Sequence, residues 1–463
     1  MPWAGQATMT ESVPSRTPHS LEDDTPGSLV VAGTLAARRD KIPVSATLAA
    51  NEELDRRRLR GEPVLPLAFG ESGLPVPPRL TAALAGAAGR GAYGPVAGTP
   101  RLRAAAAGYW SRRSLPTNPD AVVAGPGSKA LLFAAMLALR TGVAVPQPSW
   151  VSYAAQATLC SVRPHFVPAV AGEGGVCDPD ALEAAVRSRR YSGCPIGAVL
   201  VTLPDNPTGR LAGPDAIRAL CAVAERNGLL IISDEIYRDL VHDPRLPFLS
   251  PAQVAPERTM VTTSLSKSFS AGGWRIGVAR MPDGPHGAAL RGKLLGIASE
   301  VWSAAPGPMQ EAAAVALDEP ADLVEHVNSS RALHAAVCRE AARRCAAAGL
   351  EVAPPQAAFY LYPDFAPWRD QLRARFGVET GADLAALLLD SHGAGTLPAS
   401  AFGESPSCLR LRMATSQLYG DTDEQREQAL AAADPLRLPW ISAALTRFSE
   451  MLADLGGLGD LAA

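Results

Sequence analysis

The chain has 463 residues, of which 47% are hydrophobic and 19% charged, and its formal net charge is −3 at pH 7. This length suffices for two domains with large buried cores, and the charge argues against partners such as nucleic acid or an anionic membrane surface. No apolar run reaches the roughly 20 residues that span a bilayer, and seven scattered cysteines without a Cys-x-x-Cys pair favour neither disulfides nor a metal site, so a cytoplasmic setting is expected.

The first part of the chain changes character near Pro43. Residues 1–35 are rich in Ser, Thr, Pro and Gly without a sustained period, which predicts a disordered tail. After Pro43 the pattern predicts a short helix near Leu54–Arg60, a strand at Val64–Ala68 and a turn at Gly70–Gly73.

The middle of the chain alternates short β-branched runs with Ala- and Leu-rich helical stretches. This alternation predicts an α/β fold with an open, mostly parallel central sheet that helices cover on both faces. Pro214 suits a helix start and Gly228 a C-cap. The predicted strands are Val122–Ala124, Val143–Val145, Ala198–Thr202, Leu229–Ser233, Thr259–Thr263 and Ile276–Ala279, and two predicted helices are Lys129–Leu139 and Asp215–Asn227.

The last part of the chain, from about residue 311, is helix-rich and contains two strand-like segments, Phe359–Tyr362 and Cys408–Met413. This composition indicates a second, smaller α+β domain. The predicted organisation is an N-terminal segment contributing to the small domain at 36–85, a large domain at 86–325, and a small domain at 326–463 that ends in an extra amphipathic helix.

The strongest chemical signal follows the predicted strand Thr259–Thr263. Lys267 is flanked by Ser264 and Ser266 and is followed by two glycines and Arg275. An amine in this setting can form a Schiff base, while the hydroxyls and the guanidinium bind a phosphate. Taken alone, the motif is explained as well by a serine-rich surface loop.

Two further polar sites follow predicted strands. Asn206 lies in the turn Pro204–Gly209, and Asp234 ends an apolar strand, with Tyr237 three residues later. A carboxylate leaving a buried strand needs a positive partner, such as a protonated pyridine nitrogen. Each site alone could be a turn, a helix cap or a packing tyrosine. Ligands of parallel sheets bind beyond the carboxyl ends of the strands, so the three sites together indicate one ligand site.

These sites, in this order, resemble those of the fold-type I, class I/II aminotransferases, in particular the bacterial aspartate-aminotransferase-like subgroup, from about Arg38 to Ala433. The resemblance implies the fold type I of pyridoxal 5′-phosphate (PLP)-dependent transferases, PLP as cofactor, and transfer of an amino group between an L-amino acid and a 2-oxo acid. It implies that Lys267 holds PLP as a Schiff base and then acts as a general base. Asp234 would pair with the ring nitrogen, and Asn206 and Tyr237 with the phenolic oxygen.

The same resemblance assigns the phosphate and ring contacts. Gly127, Ser128 and Lys129, at a helix start, would cradle the phosphate together with the serines and the arginine near Lys267. Trp150 would stack on the pyridine ring. Tyr93 would reach the phosphate of a neighbouring subunit, which implies a homodimer with shared active sites.

The substrate contacts implied by the resemblance are Gly70, Asn206, Trp150 and Arg410. Arg410 precedes Ala414 by four residues, as in the family's arginine motif, and would bind the substrate α-carboxylate as a fork.

Several departures from the family pattern keep another activity open. Enzymes of this fold also catalyse γ-elimination, replacement and cyclisation, such as aminocyclopropane-carboxylate synthase, which acts on S-adenosylmethionine. The departures are Ser72 and Gly73 in place of Pro-Asp, Ala357 in place of Gly, a bulky Trp302, and Arg412 in place of a small hydroxyl residue. A non-catalytic effector-sensing domain is the remote alternative.

Overall fold

A computed structural model describes residues 44–191 and 193–456, so the predicted tail over residues 1–35 lies outside the described part. The helices are α1 (Ala46–Leu59), α2 (Pro78–Ala87), α3 (Pro100–Arg112), α4 (Ser128–Ala138), α5 (Ser152–Leu159), α6 (Pro179–Arg189), α7 (Pro214–Asn227), α8 (Pro251–Val254), α9 (Leu265–Ser268), α10 (Gly284–Val301), α11 (Gly307–Asp318), α12 (Ala321–Ala347), α13 (Arg369–Phe376), α14 (Gly381–His392), α15 (Asp423–Ala431) and α16 (Pro439–Gly456). The strands are β1 (Leu65–Pro66), β2 (Val122–Gly125), β3 (Gly142–Gln147), β4 (Pro164–Pro168), β5 (Ile196–Thr202), β6 (Leu230–Asp234), β7 (Thr259–Ser264), β8 (Gly277–Arg280), β9 (Tyr360–Leu361), β10 (Ala394–Gly395), β11 (Leu397–Pro398) and β12 (Leu411–Ala414).

A seven-stranded sheet forms the centre of the larger domain, in the order β2-β8-β7-β6-β5-β3-β4. The pairs from β7 to β4 are parallel, and β8 runs antiparallel to both of its neighbours. The predicted α/β fold with a mostly parallel sheet is therefore confirmed.

Helices bury both faces of this sheet. Ile231 of β6 joins the hydrophobic cluster beneath α7, and the next residue, Ile232, joins the cluster beneath α4. Successive strand residues point to opposite faces, which is why buried parallel strands have continuous apolar sequences. Helix α7 begins at Pro214 and is capped by Gly228 with a φ of +64°, in the left-handed region that favours glycine.

The predicted smaller domain combines segments from near both ends of the described chain. Leu65 of β1 pairs in parallel with Ala394 of β10, while β11, β12 and β9 form a small antiparallel sheet. One hydrophobic cluster joins Leu65 with residues of α12 and α16. The domain limits remain predictions, and the predicted limit at residue 325 falls inside the continuous helix α12.

The terminal helix α16 packs through one apolar stripe. Its buried residues include Ile441, Leu445, Phe448, Leu452 and Leu455. Because they recur every three or four residues, they lie on one helix face. Within residues 44–191 and 193–456, no helix is both long and apolar enough to cross a membrane.

Two elements differ from the predicted ones. Strand β4 begins and ends with proline and was not predicted, yet it lies at the sheet edge, where a missing N–H donor is tolerated. Helix α1 begins at Ala46 rather than near Leu54, because the intervening alanines and glutamates are good helix formers.

Candidate active site

The carboxyl ends of β5, β6 and β7 open on a cavity of about 510 Å³. Thr202 of β5 pairs with Asp234 of β6, which pairs with Thr262 of β7, so the three strands end side by side. This edge is where ligands of parallel sheets bind. The predicted site residues that line the cavity are Gly70, Ser128, Lys129, Trp150, Asn206, Asp234, Tyr237, Ser266, Lys267 and Arg275.

Lys267 lies on the one-turn helix α9, directly after β7. Its Nζ donates a hydrogen bond to the Gly70 carbonyl oxygen at 2.5 Å and lies 5.9 Å from the centroid of the Tyr237 ring. Burial lowers the pKa of Lys267 to about 8, although the charge of Glu71 opposes this shift. A neutral, nucleophilic amine is therefore accessible close to neutral pH.

Asp234 is buried at the end of β6 and is held by hydroxyl donors. Tyr153 Oη donates to its carboxylate at 3.0 Å and Thr262 Oγ1 at 3.3 Å. Burial raises the pKa of Asp234 to about 6, while these hydrogen bonds lower it. Among the described residues, no side-chain cation lies within ion-pair distance of this carboxylate, so it can accept a cationic group of a ligand.

A guanidinium lies against the start of α4. Gly127 has a φ of +84°, and a Cβ added to it would lie 2.4 Å from Nη2 of Arg275. Only glycine therefore allows the guanidinium to lie against the helix N-terminus, whose free N–H groups attract anions. Arg275 is held there by the carbonyl oxygens of Gly272 and Pro126, at 2.9 Å and 3.3 Å.

Four predicted site residues do not line the cavity, and one of them is Gly127, which directly precedes α4. Tyr93 is 91% exposed. The Ser264 hydroxyl accepts a hydrogen bond from the backbone N–H of Ser266 and caps α9. Arg410, expected in the substrate pocket, is 39% exposed and pairs with Asp364 at 3.0 Å and Glu404 at 2.5 Å.

Arg412 occupies the cavity wall instead. Its residue exposure is 1%, and its guanidinium donates to Asn206 Oδ1 at 3.4 Å and to the Ala68 carbonyl oxygen. The guanidinium carbon lies 5.0 Å from the ring centroid of Tyr360 and 5.3 Å from that of Phe402. Its Nε has no hydrogen-bond partner, and no carboxylate in the described part of the chain neutralises it.

Sequence reasoning did not assign Tyr153, Tyr360 and Arg412 to the site. Tyr153 follows Trp150 by three residues, and its backbone N–H donates to the Trp150 carbonyl oxygen at 3.1 Å, in the turn that leads into α5. Arg412 was noticed only as a departure from the family pattern, and Tyr360 carries no signal, because a strand pattern does not identify the ligand that its residues face.

Comparisons with known proteins show the family of the chain. The family model described as "Aminotransferase class I and II" matches residues 62–431. The chain is 29% identical to the aspartate aminotransferase of Bacillus sp. (strain YM-2) over 391 residues, which are 82% of this chain and 95% of the relative. It is 31% identical to the aspartate/prephenate aminotransferase of Cereibacter sphaeroides over 391 residues, 81% of this chain and 93% of the relative. The structure of Thermus thermophilus aspartate aminotransferase with maleate has a TM-score of 0.75 and 26% identity, with 90% of this chain and 98% of that chain covered.

Proposed function

This chain belongs to the class I and II aminotransferases, a PLP-dependent family, and we propose that it binds PLP through Lys267 to move an amino group between an L-amino acid and a 2-oxo acid. One observation carries the assignment of roles: a buried amine, a carboxylate without a cation and an anion site open on one cavity. The family match and the names of the relatives favour an aminotransferase over γ-elimination, replacement, cyclisation or effector sensing.

The polar groups of the cavity fit PLP, which supplies an electron sink for the bonds at the substrate Cα when bound. Asp234 holds a proton on the ring nitrogen, because a cationic partner relieves the cost of its burial. Asn206 and Tyr237 bond the phenolic oxygen, and Trp150 stacks on the ring. The phosphate would be held by Ser128, Lys129, Ser266 and Arg275, which line the cavity. Gly127 and Ser264 would support these residues from the N-caps of α4 and α9.

Lys267 also moves the proton at the substrate Cα. A general base works best when its pKa lies near the working pH, and the pKa of Lys267 is lowered by burial to about 8. Its contact with the Gly70 carbonyl oxygen holds the amine inside the cavity.

Arg412, rather than Arg410, binds the substrate carboxylate in this proposal. Arg412 is a buried guanidinium without a carboxylate partner among the described residues, and it bonds Asn206, a proposed cofactor contact. An incoming carboxylate would supply the missing negative charge. Arg410 is already neutralised by Asp364 and Glu404 and therefore braces the segment beside the cavity.

The test is the absorbance spectrum of purified protein with PLP, before and after addition of single L-amino acids, beginning with aspartate. We expect a visible band that bleaches with release of the matching 2-oxo acid. Lys267→Ala should lack the band, whereas Lys293→Ala, an exposed control on α10, should keep it. An identical band in Lys267→Ala would refute the proposal, and loss of a side-chain group with return of the band would favour elimination.

The proposal includes a homodimer in which Tyr93 completes the partner's site. Its exposed ring, outside the cavity of its own chain, supports this role. Co-expressed Lys267→Ala and Tyr93→Ala chains would form mixed dimers with one intact site, so about a quarter of wild-type activity should return. No recovery above either variant alone would contradict shared sites.

A cytoplasmic location is also part of the proposal. The structure contains no disulfide in residues 44–191 and 193–456, as is usual for proteins of reducing compartments.

A further inference from the structure

Two buried phenols meet in the cavity wall. The hydroxyl oxygens of Tyr237 and Tyr360 lie 2.7 Å apart, and their rings meet edge to face with centroids 5.6 Å apart. Tyr360 Oη also lies 3.5 Å from the Gly70 carbonyl oxygen, which accepts from Lys267 Nζ at 2.5 Å. A continuous series of contacts thus joins Tyr237, Tyr360, Gly70 and Lys267.

The number of protons decides the direction of the contact between the phenols. Each hydroxyl has one proton to donate and can accept from other donors. If Tyr360 donates to Gly70, the proton of Tyr237 is used for Tyr360 and none is left for a ligand. The contact of Tyr360 Oη with the Gly70 carbonyl oxygen is long, at 3.5 Å, whereas its contact with Tyr237 Oη is short, at 2.7 Å. The better partner for the Tyr360 proton is therefore Tyr237.

The charges around the pair favour the same direction. Burial raises the pKa of both phenols. The charge of Asp234 raises the pKa of Tyr237 further, and the charge of Asp205 raises that of Tyr360. The pKa of Tyr237 is raised well above its usual value, partly by Tyr360, whereas the contact with Tyr237 lowers the pKa of Tyr360, and the charge of Arg412 lowers the pKa of both phenols. The more acidic phenol is the better hydrogen-bond donor, and here it is Tyr360.

We propose that Tyr360 is a positioning residue, which donates to Tyr237 and keeps the proton of Tyr237 available for the phenolic oxygen of the cofactor. This inference rests on the proposed function, because it places that oxygen next to Tyr237. A phenol that accepts a hydrogen bond becomes a stronger donor. Tyr360 therefore strengthens the bond from Tyr237 and stabilises the anionic form of the cofactor's oxygen.

The experiment is a pH titration of the visible band of the lysine-bound cofactor in the wild type, Tyr360→Phe, Tyr237→Phe and the double variant. Loss of a donor to the anionic oxygen should raise the titration midpoint. We expect a rise of about half a pH unit in Tyr360→Phe, the size of a modest hydrogen-bond effect, and a larger rise in Tyr237→Phe. Because Tyr360 acts through Tyr237, the double variant should match Tyr237→Phe.

A matched control is Tyr362→Phe, which removes a phenol hydroxyl that donates to Glu404 at 2.5 Å outside the cavity. Its midpoint should equal that of the wild type. If Tyr360→Phe does not fold, Gly70→Ala decides, since its Cβ would lie 2.3 Å from Tyr360 Oη and displace the hydroxyl. That variant should raise the midpoint as well.

The outcomes separate the two proposals. A wild type without a visible band would refute the proposed function. A wild-type band with an unchanged midpoint in Tyr360→Phe, or with additive shifts in the double variant, would overturn the role of Tyr360 alone.

Discussion

Arg410 and Arg412 lie two residues apart and occupy opposite electrostatic surroundings. Arg410 is partly exposed and bridges Asp364 and Glu404, whereas Arg412 is buried against two aromatic rings without a carboxylate among the described residues. Exposed ion pairs contribute little to stability, but a buried charge without a partner is costly. In the proposed function, the uncompensated charge, rather than the motif position, indicates where an anionic substrate binds.

The largest effect is expected from Arg412→Met. Truncation of one partner of a buried, hydrogen-bonded charge pair costs roughly 2–5 kcal/mol, so kcat/KM for the best amino donor should fall by roughly thirtyfold to several thousandfold. Without substrate, methionine removes a buried charge, and the Tm should stay equal or rise. Steady-state kinetics and thermal unfolding measure the two effects.

Arg412→Lys is the matched control, because it keeps the charge but loses the planar fork, and its kcat/KM should lie between those of the wild type and Arg412→Met. If kcat/KM of Arg412→Met stays within about threefold of the wild type, Arg412 does not bind the substrate carboxylate.

The second effect concerns the pH dependence of Lys267. Burial lowers its pKa to about 8, Glu71 opposes this shift and Arg412 adds to it. Below this pKa the amine is protonated and cannot attack an aldehyde, so the rate of PLP capture by apoprotein should rise with pH and level off above a midpoint near 8. Arg412→Met removes a charge that lowers the pKa of Lys267, so the midpoint of capture should move to higher pH. The midpoint should not change in Arg410→Met. Stopped-flow absorbance at several pH values tests this, and equal midpoints in both variants would contradict it.

The smallest effect is expected from Arg410→Met. The Arg410 side chain is 39% exposed, and ion pairs open to solvent contribute about 1 kcal/mol or less, so the Tm should fall slightly and kcat/KM should remain within about threefold of the wild type. The same kinetic and unfolding measurements apply. A hundredfold loss of kcat/KM here, with a mild effect of Arg412→Met, would restore the motif-based assignment of Arg410.

The order of strands and helices in the larger domain followed from local patterns. Apolar runs of β-branched residues predicted β5, β6 and β7, and Pro214 and Gly228 marked both ends of α7. These signals depend on near neighbours in sequence and on backbone preferences, so they survive without tertiary information. Strand β4 was not predicted, because proline argues against a strand everywhere except at a sheet edge. Whether a strand lies at the edge is decided only when the sheet assembles.

The sequence by itself determined the residue types of the site and their order: Lys267, Asp234 and Asn206 each follow a strand of a parallel sheet. Only the tertiary structure decided which arginine enters the cavity and that Tyr360 meets Tyr237. Alternate residues of a strand share one face, so the pattern cannot separate Arg410 from Arg412. The difference arises from Asp364 and Glu404, which the fold brings to Arg410 alone.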